Sequence, residues 1–245
     1  MLQPHIQLGD DLNIQYAVLP GDPGRLDRIA ERLENVRELA YSREFRSLQG
    51  RYKDIPVLAL TTGIGGSSAA IAIEELRAIG VRAMIRIGSC GALQEDIPLG
   101  TLILANGAIR DEGTSKAYAD IRFPAVPDTE LLGHCIAAAK ALEAPHRVGI
   151  VHSHESFYID TNDAESARWS SMGALGADME TAALFTVGSI RGIRTASILN
   201  NVVLYGEDTR ESIGDYASGE DLCALGEQRE ILVALEAFYR LYHGL

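Results

Sequence analysis

Positive charge is in short supply in this chain. Its 245 residues include 22 lysines and arginines against 34 aspartates and glutamates, a formal net charge of −12. A surface so poor in cations excludes a general nucleic-acid or anionic-membrane contact, and any anion the protein binds must be gripped by a few placed arginines. Cysteine is equally sparse. Cys90, Cys135 and Cys223 are odd in number and far apart, which provides neither a disulfide framework nor a Cys-x-x-Cys metal pair, so their expected role is packing as reduced thiols. No apolar run approaches the ~20 residues that cross a bilayer, and the opening MLQPHIQLGDD lacks a basic stretch followed by an apolar one. A cytoplasmic protein with no membrane partner is expected. Aromatics are only 6%, but 47% of residues are hydrophobic and no Pro/Ser-rich linker divides them. Residues 1–245 are therefore expected to form one domain around one substantial core.

What is present is an alternation. Short apolar runs at 16–19, 57–60, 83–87, 101–105, 148–151 and 195–199 are bounded by glycine, proline or polar residues and read as strands buried on both faces. Between them, 25–33, 67–79, 129–142, 179–190 and 222–241 carry apolar residues at three- and four-residue spacing, as amphipathic helices do. This order predicts an α/β sheet with helices on both faces. Ligands of such sheets lie beyond the carboxyl ends of the strands, in the loops that lead to helices.

Three such loops stand out: "PGDPGR" (20–25), "TTGIGGSS" (61–68) and "RIGSCG" (86–91), the last placing Arg86 where a buried strand should end. Glycine lets the backbone approach a ligand closely, and helix-terminal amides beside an arginine suit a phosphate. Taken singly, each is better explained as an ordinary strand-to-helix turn. None matches G-x-x-x-x-G-K-[ST], and Gly63-Ile64-Gly65-Gly66 lacks the final spacing of G-x-G-x-x-G, so neither a nucleoside triphosphate nor a dinucleotide is the expected anion. His152-Ser153-His154 sets two imidazoles on one side of an extended segment, yet no third ligand follows at a zinc spacing.

Taken together, "PGDPGR" (20–25), "SREF" (42–45), "TTGIGG" (61–66), "RIGSCGAL" (86–93), "ESFY" (155–158) and "ADMETAAL" (177–184) span nearly the whole chain. Their combination and order resemble the nucleoside phosphorylase superfamily, uridine phosphorylases first and hexameric-type purine nucleoside phosphorylases next. The resemblance implies a three-layer α/β/α domain with a central mixed, partly barrel-like sheet. It implies a pentosyltransferase in which inorganic phosphate cleaves the N-glycosidic bond of a (deoxy)ribonucleoside, giving free base and α-(deoxy)ribose 1-phosphate. Phosphate is then the co-substrate and no cofactor is needed. A homo-oligomer is implied, a dimer or a hexamer of three dimers, with active sites shared between subunits.

Residue by residue, the resemblance assigns phosphate to Gly21, Arg25, Arg86 and Ser89, with Arg43 supplied by the neighbouring subunit. Converging guanidinium forks and amides are what a partly dehydrated dianion requires. From spacing alone, Arg43 reads as an ion-pair partner of Glu44. The family's Glu-Met-Glu becomes Asp178-Met179-Glu180. Glu180 falls on the glutamate that binds the ribose hydroxyls, Met179 on the residue packed against the sugar, and Asp178 shortens the first acid. Arg86 and Glu180 are the expected catalytic groups, the acid stabilising positive charge at C1′ as the bond breaks. A plainer reading has Glu180 only favouring a first helical turn through the dipole. His5 falls on a histidine that reaches the adjacent subunit's ribose 5′-hydroxyl, and Glu44, Ile64 and Ser68 match positions that hold potassium in some uridine phosphorylases.

The base end departs from the pattern. Uridine phosphorylases read uracil with a Gln-x-Arg pair after the Phe-Tyr dipeptide, where this chain has Thr161 and Asp163 behind Phe157-Tyr158. An ionised aspartate only accepts hydrogen bonds and cannot donate to a uracil carbonyl. Phe157 is expected to stack on the base, Cys90 and Gly91 to wall its pocket, and Asn200 to donate to it, although buried strand-end asparagines also cap backbone groups. Glu207, Asp208 and Arg210 lie in a loop that could add contacts. Two other functions stay open: a nucleosidase of the same fold using water, which has no need of three arginines, and a nucleoside-binding protein without turnover.

Overall fold

The computed structural model describes residues 1–207 and 221–245. In chain order the elements are β1 (Tyr16–Pro20), α1 (Arg25–Ala30), β2 (Glu34–Ser42), β3 (Phe45–Tyr52), β4 (Ile55–Leu60), α2 (Gly66–Ala78), β5 (Ala83–Ala92), β6 (Leu102–Asp111), α3 (Gly113–Tyr118), α4 (Thr129–Ala141), β7 (His146–His154), α5 (Asn162–Ser171), β8 (Gly176–Asp178), α6 (Thr181–Arg191), β9 (Arg194–Val203) and α7 (Asp221–His243). The nine strands form one mixed sheet in the order β2-β3-β4-β1-β5-β8-β7-β6-β9, and β5 also pairs with β9. That extra pairing closes β5, β8, β7, β6 and β9 into a five-stranded ring, with β2, β3, β4 and β1 running out from β5 as an open sheet. The partly barrel-like sheet expected from the resemblance is thus observed.

Two apolar layers clothe the sheet. One contains Ile73 and Leu76 of α2 with Leu184, Phe185 and Val187 of α6; the other contains Leu26 and Ile29 of α1, Leu131 and Cys135 of α4, and Ile231, Leu235 and Phe238 of α7. Burial on both sides explains the continuous apolar runs of β1, β4, β5 and β9. All three cysteines are buried free thiols. Among the described residues no helix is long and apolar enough to cross a membrane.

Several elements depart from the sequence reading. "RIGSCG" does not leave the sheet: β5 continues to Ala92 because β9 pairs with it in parallel as far as Gly91 and β8 pairs antiparallel at Gly91 and Ala92. The β2–β3 hairpin was not anticipated, since β2 is an exposed edge strand whose burial does not alternate. Helix α1 stops at Ala30, and its first amides, from Arg25, Leu26 and Asp27, donate to the carbonyls of Asp22, Pro23 and Gly24. Those amides are used inside the turn, contrary to the expectation that they would meet an anion.

Candidate active site

The site begins with a charge inside the sheet. Arg86 lies in β5 between Leu19 of β1 and Ser197 of β9, and its side chain folds back over Gly88. A Cβ on residue 88 would stand 2.7 Å from Arg86 Nη2, so glycine is what leaves room for the guanidinium. Buried Arg86 donates through Nε to Asp178 Oδ2 at 3.0 Å, and its Nη2 lies 2.5 Å from Glu180 Oε2. Burial opposes its charge, but the two carboxylates more than offset this and push its pKa above the ordinary arginine value.

Both acids stand at the β8–α6 junction, and they do different things. Asp178 is saturated: Oδ1 accepts from Ser153 Oγ at 2.6 Å, and Oδ2 accepts from the Thr181 hydroxyl at 2.6 Å and the Thr181 amide at 3.0 Å. Ser153 in turn accepts from the Ala182 amide at 2.9 Å, and Thr181 Oγ1 lies 2.8 Å from Ser197 Oγ. The α6 amides are therefore served by Asp178 and Ser153. Glu180, although it occupies the N-cap position, turns its carboxylate to Arg86 and to the Gly65 amide, which donates to Oε1 at 2.6 Å. The dipole reading of Glu180 is not its geometry. Burial pushes its carboxyl above the usual range against the pull of Arg86, and Asp178 adds to the rise. Half-buried Met179 lies between the two acids.

Arg25 approaches from the first loop. Its Nη2 donates to Ser89 Oγ at 3.3 Å, Nη1 donates to the Ile87 carbonyl at 3.3 Å, and Nε donates to Glu227 Oε2 at 3.0 Å. Nη1 is also 3.3 Å from Glu230 Oε1. Glu227 additionally accepts from Arg28. Gly21 is packed against the second loop: its carbonyl accepts from the Gly63 amide at 3.2 Å, and a Cβ on it would stand 3.2 Å from the Gly63 carbonyl. Arg25, Arg86, Ser89, Glu180 and Gly21 are thus gathered by the ends of β1, β4, β5 and β8.

Other expected residues stand apart from this cluster. Arg43 is exposed at the β2–β3 turn with φ 57°, and Glu44 beside it accepts from Ser68 Oγ at 2.7 Å, which holds the Glu44 carboxyl below its usual range. Ile64 is 80% exposed. His5 is half-buried, with Nδ1 2.6 Å from Glu75 Oε1, and it borders a pocket of about 480 Å³ with Ser67, Glu74, Thr114 and Glu155.

In the segment expected to meet the base, Cys90 is buried, and burial pushes its thiol well above the ordinary value, which disfavours a nucleophilic thiolate. Gly91 follows it, paired with Ala177. Phe157 is half-buried on the loop after β7, its ring 6.4 Å from that of His154. Thr161 and Asp163 open α5 on the exposed surface. Asn200 is the β9 register partner of Ser89, but its side chain is held by α7: its amide donates to the Cys223 carbonyl at 2.8 Å, and Gly226 packs against it so closely that a Cβ there would stand 2.0 Å from Asn200 Oδ1. Asn201 likewise donates to the carbonyls of Ile97 and Pro98. Glu207 is exposed, and Asp208 and Arg210 lie outside the described residues. His152 pairs with Asp111 at 3.1 Å, and among the described residues no group of three His, Cys, Asp or Glu is disposed to hold a metal.

Sequence reasoning missed Ser153, Thr181 and Ser197 around Asp178, and Glu227 and Glu230 behind Arg25. The last pair carried a faint signal, two acids three residues apart on one face of an otherwise apolar helical stretch.

Comparisons with known proteins show the family of this chain. Residues 15–203 match the family model described as the Phosphorylase superfamily. Uridine phosphorylase of Treponema pallidum is 38% identical over 232 residues, covering 91% of this chain and 87% of that protein. Guanosine phosphorylase of Halorubrum lacusprofundi is 37% identical over 196 residues, covering 80% of this chain and 81% of that protein. The solved structure of uridine phosphorylase from Vibrio fischeri matches with a TM-score of 0.90 at 42% identity over 98% of each chain. The matched stretch includes both buried arginines and the acid pair before α6, and the chain belongs to the phosphorylase superfamily.

Proposed function

We propose that the protein is a nucleoside phosphorylase, transferring the (deoxy)ribosyl group of a nucleoside from its base to inorganic phosphate. The observation that carries this is the pair of buried arginines: Arg86, shared by Asp178 and Glu180, and Arg25, facing Ser89 on the same strand. A dianion entering between them finds two guanidinium groups and a hydroxyl. The loops bearing Gly21 and Gly65 meet there, so backbone can approach it. Glu180 stands one guanidinium away from that position, suited to accept from ribose hydroxyls and to stabilise the positive charge that develops at C1′. Met179 would pack on the sugar and Phe157 on the base.

A homo-oligomer with shared sites is part of this proposal. Arg43 is exposed on a hairpin tip and His5 is half-buried beside a surface pocket, which suits residues that serve a neighbouring subunit. Glu44 and Ser68, brought together, are oxygen donors of the kind a hard monovalent cation takes, and Ile64 lies on the loop that leads to Ser68. Potassium there would be structural and takes no part in the steps above.

The test is release of free base from uridine, thymidine, inosine, adenosine and guanosine, with and without phosphate. Phosphate-dependent release from at least one nucleoside, with a sugar 1-phosphate as co-product, is expected, and the panel also reads which base is accepted. Release that ignores phosphate would instead make the protein a hydrolase.

A further inference from the structure

Behind Arg25 lies a group that the phosphorolysis just described does not use. Helix α7 sends two acids toward this arginine from one turn. Glu227 is engaged in full, with Oε2 accepting from Arg25 at 3.0 Å and Oε1 accepting from Arg28. Glu230 is completely buried, with Oε1 3.3 Å from Arg25 Nη1. Among the described residues neither of its oxygens has an aligned hydrogen-bond partner.

A buried carboxylate in that state is costly to ionise. Burial pushes Glu230 up to about 8; Arg25 and Arg86 pull it down, and Glu227 pushes it up. Among the described residues these, together with the Cys90 thiol of β5, are the charged and titratable groups that face it, from α1, β5 and its own helix. The α4 residues in the same layer, Leu131, Cys135, Ala138 and Ala139, include only a thiol that burial holds protonated.

The local charge then decides how an anion can enter. Arg25 already serves Glu227, and Arg86 already serves Asp178 and Glu180. An ionised Glu230 would place a second carboxylate on Arg25, at the guanidinium a phosphate dianion must use. In a low-dielectric interior one cation cannot satisfy both.

We propose that Glu230 is a positioning residue of the phosphate subsite: its protonated form places no second carboxylate charge on Arg25, and ionisation of Glu230 and phosphate binding exclude one another. This rests on the assignment of Arg25 to phosphate made above. The binding-competent fraction is then the protonated fraction of Glu230. It falls to about a tenth one pH unit above the midpoint, and the apparent affinity for phosphate falls with it.

The experiment is phosphorolysis at saturating nucleoside, comparing wild type and Glu230→Gln, a permanently neutral amide. Wild type should show the phosphate KM rising about tenfold between about pH 7 and about pH 9, whereas the variant's ratio stays near one. Nucleoside KM should follow the same pH course in both proteins, which a merely structural role for Glu230 would not arrange. A second measurement needs no variant: calorimetric titration of wild type with inorganic phosphate near pH 8.5 in two buffers of different ionisation enthalpy. Net proton uptake is expected. Superimposable phosphate KM profiles, or no proton uptake by wild type, overturn the proposal even if phosphorolysis is intact. Turnover without phosphate would overturn the functional reading beneath it, and the two failures are distinguished by the same assays.

Discussion

Replacing Arg86 with alanine removes one cation from two buried acids, and the acids should respond unequally. Asp178 keeps the Ser153 and Thr181 hydroxyls and the Thr181 amide, whereas Glu180 keeps the Gly65 amide. The penalty therefore falls on Glu180. Removing one partner of a buried pair costs about 3–5 kcal/mol, and Glu180, already raised by burial, relieves part of that by taking up a proton. A carboxyl raised in the folded state supports stability that is complete below its unfolded pKa and lost as pH rises through the folded value. Arg86→Ala should thus be least destabilised in mild acid and most destabilised at alkaline pH. Urea denaturation of Arg86→Ala and of Arg86→Ala/Glu180→Gln near pH 8 should show the double variant recovering about 2 kcal/mol, because no charge is left without a partner at residue 180. On activity, loss of a buried charged partner for phosphate should cost about 2–5 kcal/mol of transition-state stabilisation, a fall of about 30-fold to several thousand-fold in kcat/KM for phosphate. Equal stability of the single and double variants at every pH would refute the shared-cation argument. Unchanged phosphate kinetics would refute the role given to Arg86.

Two further outcomes follow from the same contacts. Gly88→Ala puts a methyl 2.7 Å from Nη2 and 2.8 Å from Cζ of a guanidinium that two carboxylates hold in place; a phosphate KM raised about tenfold or more with a stability loss of only about 1–3 kcal/mol is expected, and wild-type phosphate kinetics would contradict the packing of Arg86 over residue 88. Glu230→Gln removes a carboxyl raised to about 8, whose stability contribution is complete below the ordinary carboxylate range and lost as pH rises through that value. Its stability should therefore gain on wild type between about pH 5 and pH 9, by on the order of 4 kcal/mol at the upper end, and a pH-independent difference in denaturation midpoints would rule this out.

The apolar runs of β1, β4, β5 and β9 and the periodic stretches of α2, α4, α6 and α7 were legible in sequence because each is buried against its neighbours on a fixed period, 2.0 or 3.6 residues. Arg86 was legible as a cation at a glycine-rich strand segment, whereas Ser89 and Glu180 were singled out only through the resemblance of their short motifs, since the turn of Glu180 toward Arg86 and the Gly65 amide is set by contacts between distant segments. The β2–β3 hairpin was not, since an edge strand with five exposed residues at its start has no core face to impose alternation.

What the sequence determined by itself is therefore the layered α/β plan and the glycine-rich segments at its strand ends, because those rest on local period and on residue chemistry. The tertiary structure alone decided the closure of the ring through β5 and β9, the retention of Asn200 by the Cys223 carbonyl, and the placing of Glu227 and Glu230 behind Arg25. These depend on contacts between distant segments, as where Arg25 meets an acid 202 residues away. No local propensity encodes such a contact; burial of the α7 apolar face against the sheet brings its acids to Arg25.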